Sequence, residues 1–200
     1  MIKNVVFDIG KVLIRFEPRI YIGRNVDDKE AEIVYKAVFM GEEWVKLDRG
    51  TLTDEEAIEI VCKKYPKNEK CIRDIMLNWH EMQTPLEDTV KVYRKLKENG
   101  YKIYLLSNYH ESAFHKIYEK YDFIRQADGG IISSSVKYLK PEEEIYKCLL
   151  EKYNLIPKEC VFIDDTLDNV KAAEKIGFNI VHFVSAEDLI DRLSNMGVRI

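Results

Sequence analysis

The chain has 200 residues, of which 46% are hydrophobic and 33% charged, and its formal net charge is −4. This length can bury a sizeable core in one domain, with or without a substantial insertion, and the composition is typical of a soluble globular protein. The negative charge and the interleaving of lysines with glutamates argue against nucleic acid as the main partner.

No apolar run is long enough for a signal peptide or a membrane span, so we expect a cytoplasmic protein with no membrane partner. The four cysteines stand far apart, with no CxxC pair and no interleaved histidine. This spacing suggests neither a zinc site nor a disulfide framework. We therefore expect reduced, partly buried cysteines.

Four short apolar runs predict the strands NVVFDI (4–9), KIYLLS (102–107), CVFID (160–164) and NIVHF (179–183). Near-continuous apolar runs of this length are typical of strands that are covered on both faces. Segments of helical period separate them. This alternation predicts an α/β fold with a Rossmann-like parallel sheet and helices on both faces.

Residues 17–82 interrupt the alternation, because they contain helical periodicity but no convincing strand. Thr53 with Glu56 predicts a capped helix start within this interval. We therefore expect a helical cap subdomain over residues 17–82, inserted into an α/β core formed by residues 1–16 plus 83–200.

Two glycines and one Thr-Pro pair mark further helix ends. Thr84 and Pro85, with Glu87, predict the start of a helix that stops at Gly100, and Gly177 ends a later one.

Polar residues follow the predicted strands at their carboxyl ends, or lie in a loop beside them: Asp8, Ser107-Asn108, Lys140 and Asp164-Asp165. Each has a structural explanation when taken singly, as a turn former, a helix cap or a surface loop. Ligands of open parallel sheets bind at this edge, however. The convergence therefore predicts a functional site.

The segments VVFDIGKVL, LLSN, SSSVKYLKPEEEIY and VFIDDTLDN, in this order, resemble the four motifs of the haloacid dehalogenase (HAD) superfamily. The resemblance covers nearly the whole chain and includes the gap for a helical cap of the C1 type after the first motif. The Asp-x-Gly-x-Val opening is similar to that of the phosphatase branch acting on sugar phosphates such as glucose 1-phosphate. The resemblance implies a HAD-like hydrolase, and most simply a Mg²⁺-dependent phosphatase of small phosphorylated metabolites.

The roles of the polar residues follow from their chemistry. Asp8 can attack phosphorus and form an aspartyl-phosphate, which splits one hard displacement into two. Lys140 is the second catalytic candidate, since it would place a positive charge on the transferring phosphoryl group. Ser107 and the backbone N–H of Asn108 would bind the phosphoryl oxygens.

Mg²⁺ would neutralise the repulsion between the two anions, and it prefers hard oxygen ligands. Asp8 and Asp165 can supply these ligands, with Asp164 and Asn169 as further or supporting groups. In most phosphatases of the superfamily, the backbone carbonyl at the position of Gly10 also binds the metal.

The side chain at the position of Gly10 is an aspartate in most phosphatases of the superfamily, where it protonates the leaving group and later activates water. Gly10 keeps the carbonyl and lacks the acid. The rate should therefore depend steeply on the acidity of the leaving group, unless His110 or a cap side chain donates the proton.

Three alternatives remain open at this point. A 2-haloacid dehalogenase would use Asp8 on carbon without a metal, but the Asp164-Asp165 pair argues against it. A phosphomutase needs the acid that is missing at Gly10. A weakened phosphate- and Mg²⁺-binding regulatory protein is favoured by Gly10, whereas the intact nucleophile position argues against it.

Five residues are candidates for contact with the body of the substrate. They are Arg15, Glu17, Trp44, Tyr109 and His110. Each can equally serve packing or the surface, so the structure has to decide between these roles.

Overall fold

A computed structural model describes all 200 residues, and a parallel sheet of five strands in the order β3-β2-β1-β4-β5 lies at its centre. The strands are β1 (Asn4–Phe7), β2 (Lys102–Ser107), β3 (Gly129–Ile132), β4 (Cys160–Asp164) and β5 (Asn179–His182). β1 is the central strand and pairs with β2 and β4. The predicted α/β fold with a parallel sheet is confirmed.

Helices account for most of the remaining regular structure. Five lie between β1 and residue 82: α1 (Pro18–Asn25), α2 (Asp28–Phe39), α3 (Glu42–Arg49), α4 (Asp54–Lys64) and α5 (Glu69–Asn78). The other seven lie among the strands: α6 (Glu87–Glu98), α7 (Glu111–Lys120), α8 (Asp122–Arg125), α9 (Ser133–Val136), α10 (Glu143–Tyr153), α11 (Leu167–Ile176) and α12 (Ala186–Asn195). Short 3-10 helices span Pro66–Asn68, Trp79–Met82 and Pro157–Glu159. None of the helices has the length and apolar character needed to cross a membrane.

The sheet is covered on both faces because successive side chains of a strand point in opposite directions. Val5 and Phe7 of β1 join a buried cluster that includes residues of α6 and α12. Val6 joins a second cluster, with residues of α10 and α11. The central strand is therefore apolar from Val5 to Phe7, on both of its faces.

The register of the sheet places the strand ends side by side. Phe7 of β1 pairs with Leu105 of β2 and with Ile163 of β4. Asp8 therefore follows β1 at the same level as Asp164, the last residue of β4. A cluster of charge at this edge is a direct result of the parallel pairing.

Helices α1 to α5 form a packing unit with a hydrophobic core of its own. Ile22, Val34, Ile58 and Ile72 are among its buried residues. The chain contains no strand between residues 17 and 82. We refer to residues 17–82 as the helical insertion.

Strand β3 was not predicted from the sequence, because its segment GGII begins with two glycines that break the apolar pattern. A Cβ atom at Gly129 would lie 2.4 Å from the ring of Tyr153, and one at Gly130 would lie 2.7 Å from the carbonyl oxygen of Leu105. The Tyr153 hydroxyl also hydrogen-bonds to the backbone of Gly130. Close packing therefore requires glycine at both positions, and this requirement leaves no apolar pattern in the sequence.

The predicted start of α6 at Thr84 and Pro85 is wrong. The helix begins at Glu87, with Leu86 as its cap. Pro85 instead forms an antiparallel bridge with Ile14, which ties the two chain segments that connect the core to the helical insertion. Other predicted helix ends are confirmed at the Thr53 and Glu56 capping box, at Gly100 and at Gly177.

The four cysteines are free thiols. Cys62 and Cys160 are buried, whereas Cys71 and Cys148 are half-buried. All four contact the hydrophobic clusters, where they pack as small apolar side chains.

Candidate active site

Asp8 is the first residue after β1 and lies in a buried polar cluster. Ser107 Oγ, at the end of β2, donates a hydrogen bond of 2.6 Å to Asp8 Oδ1. Lys140 Nζ lies 2.8 Å from the same oxygen, and 10% of the Asp8 side chain is exposed. Burial raises the pKa of Asp8 to about 6; Asp164 adds to the rise and Lys140 opposes it. These contacts fix the orientation of the carboxylate at the sheet edge.

Lys140 bridges Asp8 and Asp164. Its Nζ lies 2.6 Å from Asp164 Oδ2, and only 1% of its side chain is exposed. Burial disfavours the charged form of Lys140, but the two carboxylates outweigh this effect and raise its pKa. The Asn108 side chain accepts a hydrogen bond from the Lys140 N–H and donates one to its carbonyl. A permanent positive charge is therefore held beside Asp8.

Asp164 and Asp165 are adjacent in sequence but differ in their surroundings. Asp164 is fully buried and accepts hydrogen bonds from Lys140 and from the Asn169 side chain. The Asp165 side chain is 24% exposed, and the exposed Lys11 lies 3.7 Å from it. Asp164 is therefore engaged in positioning Lys140, whereas Asp165 is the more accessible of the two carboxylates.

The carboxylates of Asp8, Asp164 and Asp165 form a donor set for a cation. One oxygen from each lies within 4.8 Å of the others. Lys140 is the single buried cation of the protein, so the cluster carries an excess of negative charge. Carboxylate ligands without histidine or cysteine suit a small, hard divalent ion such as Mg²⁺.

The surroundings of Gly10 do not require glycine. Its φ lies outside the left-handed region, and a Cβ atom would meet no other atom within 4 Å. The backbone and the space at Cβ would therefore accept a side chain such as the aspartate that the superfamily resemblance implies at this position. The backbone turn does not require glycine here. The absence of a carboxylate is therefore a chemical difference at the site.

A cavity of about 140 Å³ lies between the strand ends and the helical insertion, with Gly10 and Asn108 among its lining residues. Aromatic rings form much of its wall. The ring of Trp44 lies 4.3 Å from that of His110 and 4.9 Å from that of Trp79, measured between centroids. This packing gives the cavity a largely apolar wall opposite the charged strand ends.

Four of the five predicted substrate-contact candidates line this cavity: Arg15, Trp44, Tyr109 and His110. Glu17 lines a separate surface pocket instead. Arg15 and Glu17 are both exposed and lie 3.5 Å apart, which fits the surface role considered for them.

Asp48 also lines the cavity, although no motif marks it. It lies in the last turn of α3, four residues after Trp44, so the two side chains share a helix face. Asp48 Oδ1 is 3.2 Å from His110 Nε2, without a directed hydrogen bond. A carboxylate at helical spacing from a large aromatic residue is the sequence signal that could have identified it.

The ionisation of this pair is set mainly by burial. Burial raises the pKa of Asp48 to about 8; Asp8 adds to the rise and Lys140 opposes it. Burial lowers the pKa of His110 to about 3. At neutral pH the carboxyl group is therefore mostly protonated and the imidazole is neutral.

Residues 2–177 match the family model of the haloacid dehalogenase-like hydrolases. The chain belongs to this family. The resemblance that the four sequence motifs indicated is therefore confirmed, and the protein is a HAD-like hydrolase.

Relatives in the family carry out different reactions. The sesquiterpene phosphatase astK of Aspergillus oryzae is 23% identical over 184 residues, which cover 92% of this chain and 91% of that protein. The drimenol cyclase drtB of Aspergillus calidoustus is 22% identical over 199 residues, which cover 98% of this chain and 37% of the cyclase. The (S)-2-haloacid dehalogenase 4A of Burkholderia cepacia is 24% identical over 130 residues, which cover 65% of this chain and 56% of that enzyme.

Solved structures show the same fold. A HAD family enzyme of Bacteroides thetaiotaomicron has a TM-score of 0.76 at 23% identity, with 96% of this chain and 98% of that chain covered. Its complex with magnesium and inorganic phosphate has a TM-score of 0.72 at 26% identity, with 90% and 93% covered. A dehalogenase has a TM-score of 0.74 at 19% identity, with 96% and 97% covered. The fold is thus common to a phosphate-binding enzyme and a dehalogenase, so the site residues must distinguish the reactions.

Proposed function

We propose that the protein is a Mg²⁺-dependent phosphatase of small phosphorylated metabolites that forms an aspartyl-phosphate on Asp8. The observation that carries the proposal is the acidic pair Asp164-Asp165 beside Asp8, with Lys140 between Asp8 and Asp164. The phosphatase relative and the enzyme with bound magnesium and phosphate support the same class of reaction.

In this reaction Asp8 attacks phosphorus in line and the bond to the leaving oxygen breaks. Ser107 and Lys140 both contact Asp8 Oδ1, so they hold the attacking carboxylate and lie next to the incoming phosphoryl oxygens. Asn108 supports the loop by pairing with the backbone of Lys140. Water then attacks the phosphorus, which releases phosphate and restores Asp8.

Asp8, Asp165 and the backbone carbonyl of Gly10 would hold Mg²⁺, with Asp164 as a further ligand or a supporting group. When bound, the ion offsets the repulsion between the attacking carboxylate and the substrate dianion. Asp164 already accepts a hydrogen bond from Lys140, so its main task in this scheme is to position that ammonium group.

The helical insertion, residues 17–82, would act as a cap on a core formed by residues 1–16 plus 83–200. Phe16, Trp44 and Trp79 contribute the aromatic wall of the cavity of about 140 Å³. A small space with an apolar wall favours a compact phosphorylated metabolite and limits the access of water. Sugar 1-phosphates, the class that the Asp-x-Gly-x-Val opening suggests, are the first substrates to test.

The dehalogenase relatives favour a second candidate, a 2-haloacid dehalogenase in which Asp8 attacks carbon. That reaction needs no metal. Asp164 could still position Lys140, but the carboxylate of Asp165 within reach of Asp8 would then have no evident purpose, which favours the phosphatase.

Hydrolysis of acetyl phosphate and p-nitrophenyl phosphate tests the proposal, with chloride release from 2-chloropropionate measured in parallel. We expect phosphate release that requires Mg²⁺, stops after chelation and returns when Mg²⁺ is added back. Asp8→Asn should reduce the rate by roughly 10⁶-fold, the scale for loss of a covalent nucleophile. Asp88→Asn, an exposed aspartate paired with Lys91, is the matched control.

Three results would count against the proposal. Undiminished hydrolysis after exhaustive chelation would remove the metal from the mechanism. Chloride release without a metal would support the dehalogenase. Binding of Mg²⁺ and phosphate without turnover would indicate a regulatory protein.

A further inference from the structure

We propose that Asp48 of helix α3 is the general acid and base of this site, in place of the carboxylate missing at Gly10. This role rests on the proposed phosphatase function and adds one catalytic residue to it. Gly10 and Asp48 line the same cavity, the first from the loop after β1 and the second from the helical insertion.

The two positions complement each other in space. A Cβ atom at Gly10 would meet no other atom within 4 Å, so the space directly beside this position is open. Asp48 borders the cavity into which this volume opens, with 19% of its side chain exposed. A leaving oxygen or a water molecule in that space would face the Asp48 carboxyl group.

The core fixes the end of α3 through the loop that carries Lys140. Arg49 forms two hydrogen bonds with the Glu142 carboxylate, of 3.0 and 2.5 Å. Glu142 also accepts a hydrogen bond from the backbone N–H of Leu139, the residue before Lys140. Asp48 is therefore tied to the same loop as the ammonium group that contacts the nucleophile.

A second set of contacts docks the same turn onto α9. Ser133 Oγ donates a hydrogen bond to the carbonyl of Asp48, and Lys137 Nζ donates one to the carbonyl of Gly50. Gly50 has a φ of +67°, and a Cβ atom there would lie 2.4 Å from the carbonyl oxygen of Ser134. This close approach needs glycine at position 50. The turn Asp48-Arg49-Gly50 can therefore dock on the core, which places Asp48 beside the cavity.

The groups around Asp48 keep it in the acid form. The titratable groups facing it are Asp8 and Lys140 from the strand-end cluster, and Tyr109 and His110 from the segment after β2. Burial, with a further contribution from Asp8, raises the pKa of Asp48 to about 8. Burial lowers the pKa of His110 to about 3 and raises that of Tyr109 well above its ordinary value. Asp8, with a pKa of about 6, is the nucleophile in this scheme, which leaves Asp48 as the group of this set that is suited to exchange a proton near neutral pH.

The proton balance of the two steps is complete. When Asp8 bonds to phosphorus and the P–O bond to the leaving group breaks, the leaving oxygen takes the proton of Asp48 and departs as an alcohol. In the second step a water oxygen bonds to phosphorus and passes a proton to the Asp48 carboxylate. The bond from phosphorus to Asp8 breaks, and phosphate leaves with both side chains restored.

The test uses Asp48→Asn and a series of aryl phosphates of similar shape and different leaving-group pKa. The wild type should give a shallow plot of log kcat/KM against leaving-group pKa, and the variant a steep one. For the least acidic leaving groups we expect a loss of roughly 10²–10⁴-fold, the value of general acid catalysis, and almost none for dinitrophenyl phosphate. Asp88→Asn should follow the wild type. Gly10→Asp should restore the shallow plot when it is combined with Asp48→Asn.

The outcomes separate this role from the proposed function. An equal loss for every leaving group, or no loss, would overturn the role of Asp48 and leave the phosphatase intact. A wild-type protein that hydrolyses none of these esters would overturn both.

Protein stability provides a readout that does not depend on turnover. The unfolded-state pKa of Asp48 is near the ordinary 3.8 and the folded-state value is about 8, so the unfolded chain releases this proton first. In metal-free buffer, the unfolding free energy of the wild type should therefore fall relative to Asp48→Asn between about pH 4 and 8, and the difference should be constant above that range. A difference that does not vary with pH would contradict a protonated Asp48.

Discussion

Two clusters of side chains, one at the strand ends and one mainly on the helical insertion, are built from opposite chemistry. The charged cluster contains Asp8, Ser107, Lys140, Asp164 and Asn169. The aromatic cluster contains Phe16, Phe39, Trp44, Trp79 and His110. Every buried side-chain N or O atom of the charged cluster has a hydrogen-bond partner, whereas both ring nitrogens of His110 lack one.

The charged cluster and the aromatic cluster are stabilised by different interactions. Buried charges are tolerated only when they are paired, so each member of the charged cluster depends on the others. The aromatic cluster depends on contact area and shape, which are lost more gradually. A single substitution in the charged cluster should therefore lower the free energy of unfolding strongly, whereas a substitution in the aromatic cluster should lower it in proportion to the contact area lost.

The largest loss of stability is expected for Lys140→Met. Removing the ammonium group leaves Asp8 and Asp164 buried without a cation, which should lower the free energy of unfolding by about 3–5 kcal/mol. Phosphate hydrolysis should fall by roughly 10²–10³-fold, the scale for loss of a donor to the reacting oxygens. Urea unfolding in metal-free buffer measures the first effect, with Lys147→Met, an exposed lysine of α10, as the control. Equal stability of the two variants would show that the charged cluster does not act as a unit.

A smaller loss is expected for Trp44→Ala on the aromatic side. Trp44 is half-buried, so the cost should be about 2 kcal/mol, below the roughly 3–5 kcal/mol of a fully buried aromatic side chain. We expect KM to rise while the Mg²⁺ dependence stays unchanged, because the wall is altered and the donor set is not. Trp44→Phe should recover most of both properties. A change in Mg²⁺ affinity would contradict the separation of the two clusters.

The smallest loss of stability is expected for Ser107→Ala. It removes one hydrogen bond to Asp8, worth about 1 kcal/mol, and the charge pairing with Lys140 remains. Activity should still fall by roughly 10²-fold, because the hydroxyl lies where a phosphoryl oxygen is stabilised. Ser135→Ala, which removes an exposed hydroxyl bonded to the Ile132 carbonyl, should change neither property. Wild-type activity in Ser107→Ala would place the phosphoryl group elsewhere.

The charged cluster could be anticipated from the sequence, and the aromatic cavity only in part. Asp8 follows one buried strand and Asp164 ends its neighbour, and the parallel register brings strand ends together without any detail of packing. The sequence did not distinguish Asp164 from Asp165, because burial separates these neighbours and burial depends on distant segments. Asp48 was missed for the same reason, since the contacts that dock its turn come from residues 133–142.

A crystal structure with Mg²⁺ and beryllium fluoride tests most directly whether Asp8 receives the phosphoryl group. The account predicts beryllium bonded to an Asp8 carboxylate oxygen, with its fluorine atoms in contact with Ser107 and Lys140. Beryllium fluoride bound more than a hydrogen-bond length from Asp8, or attached to another side chain, would contradict the assignment of the nucleophile.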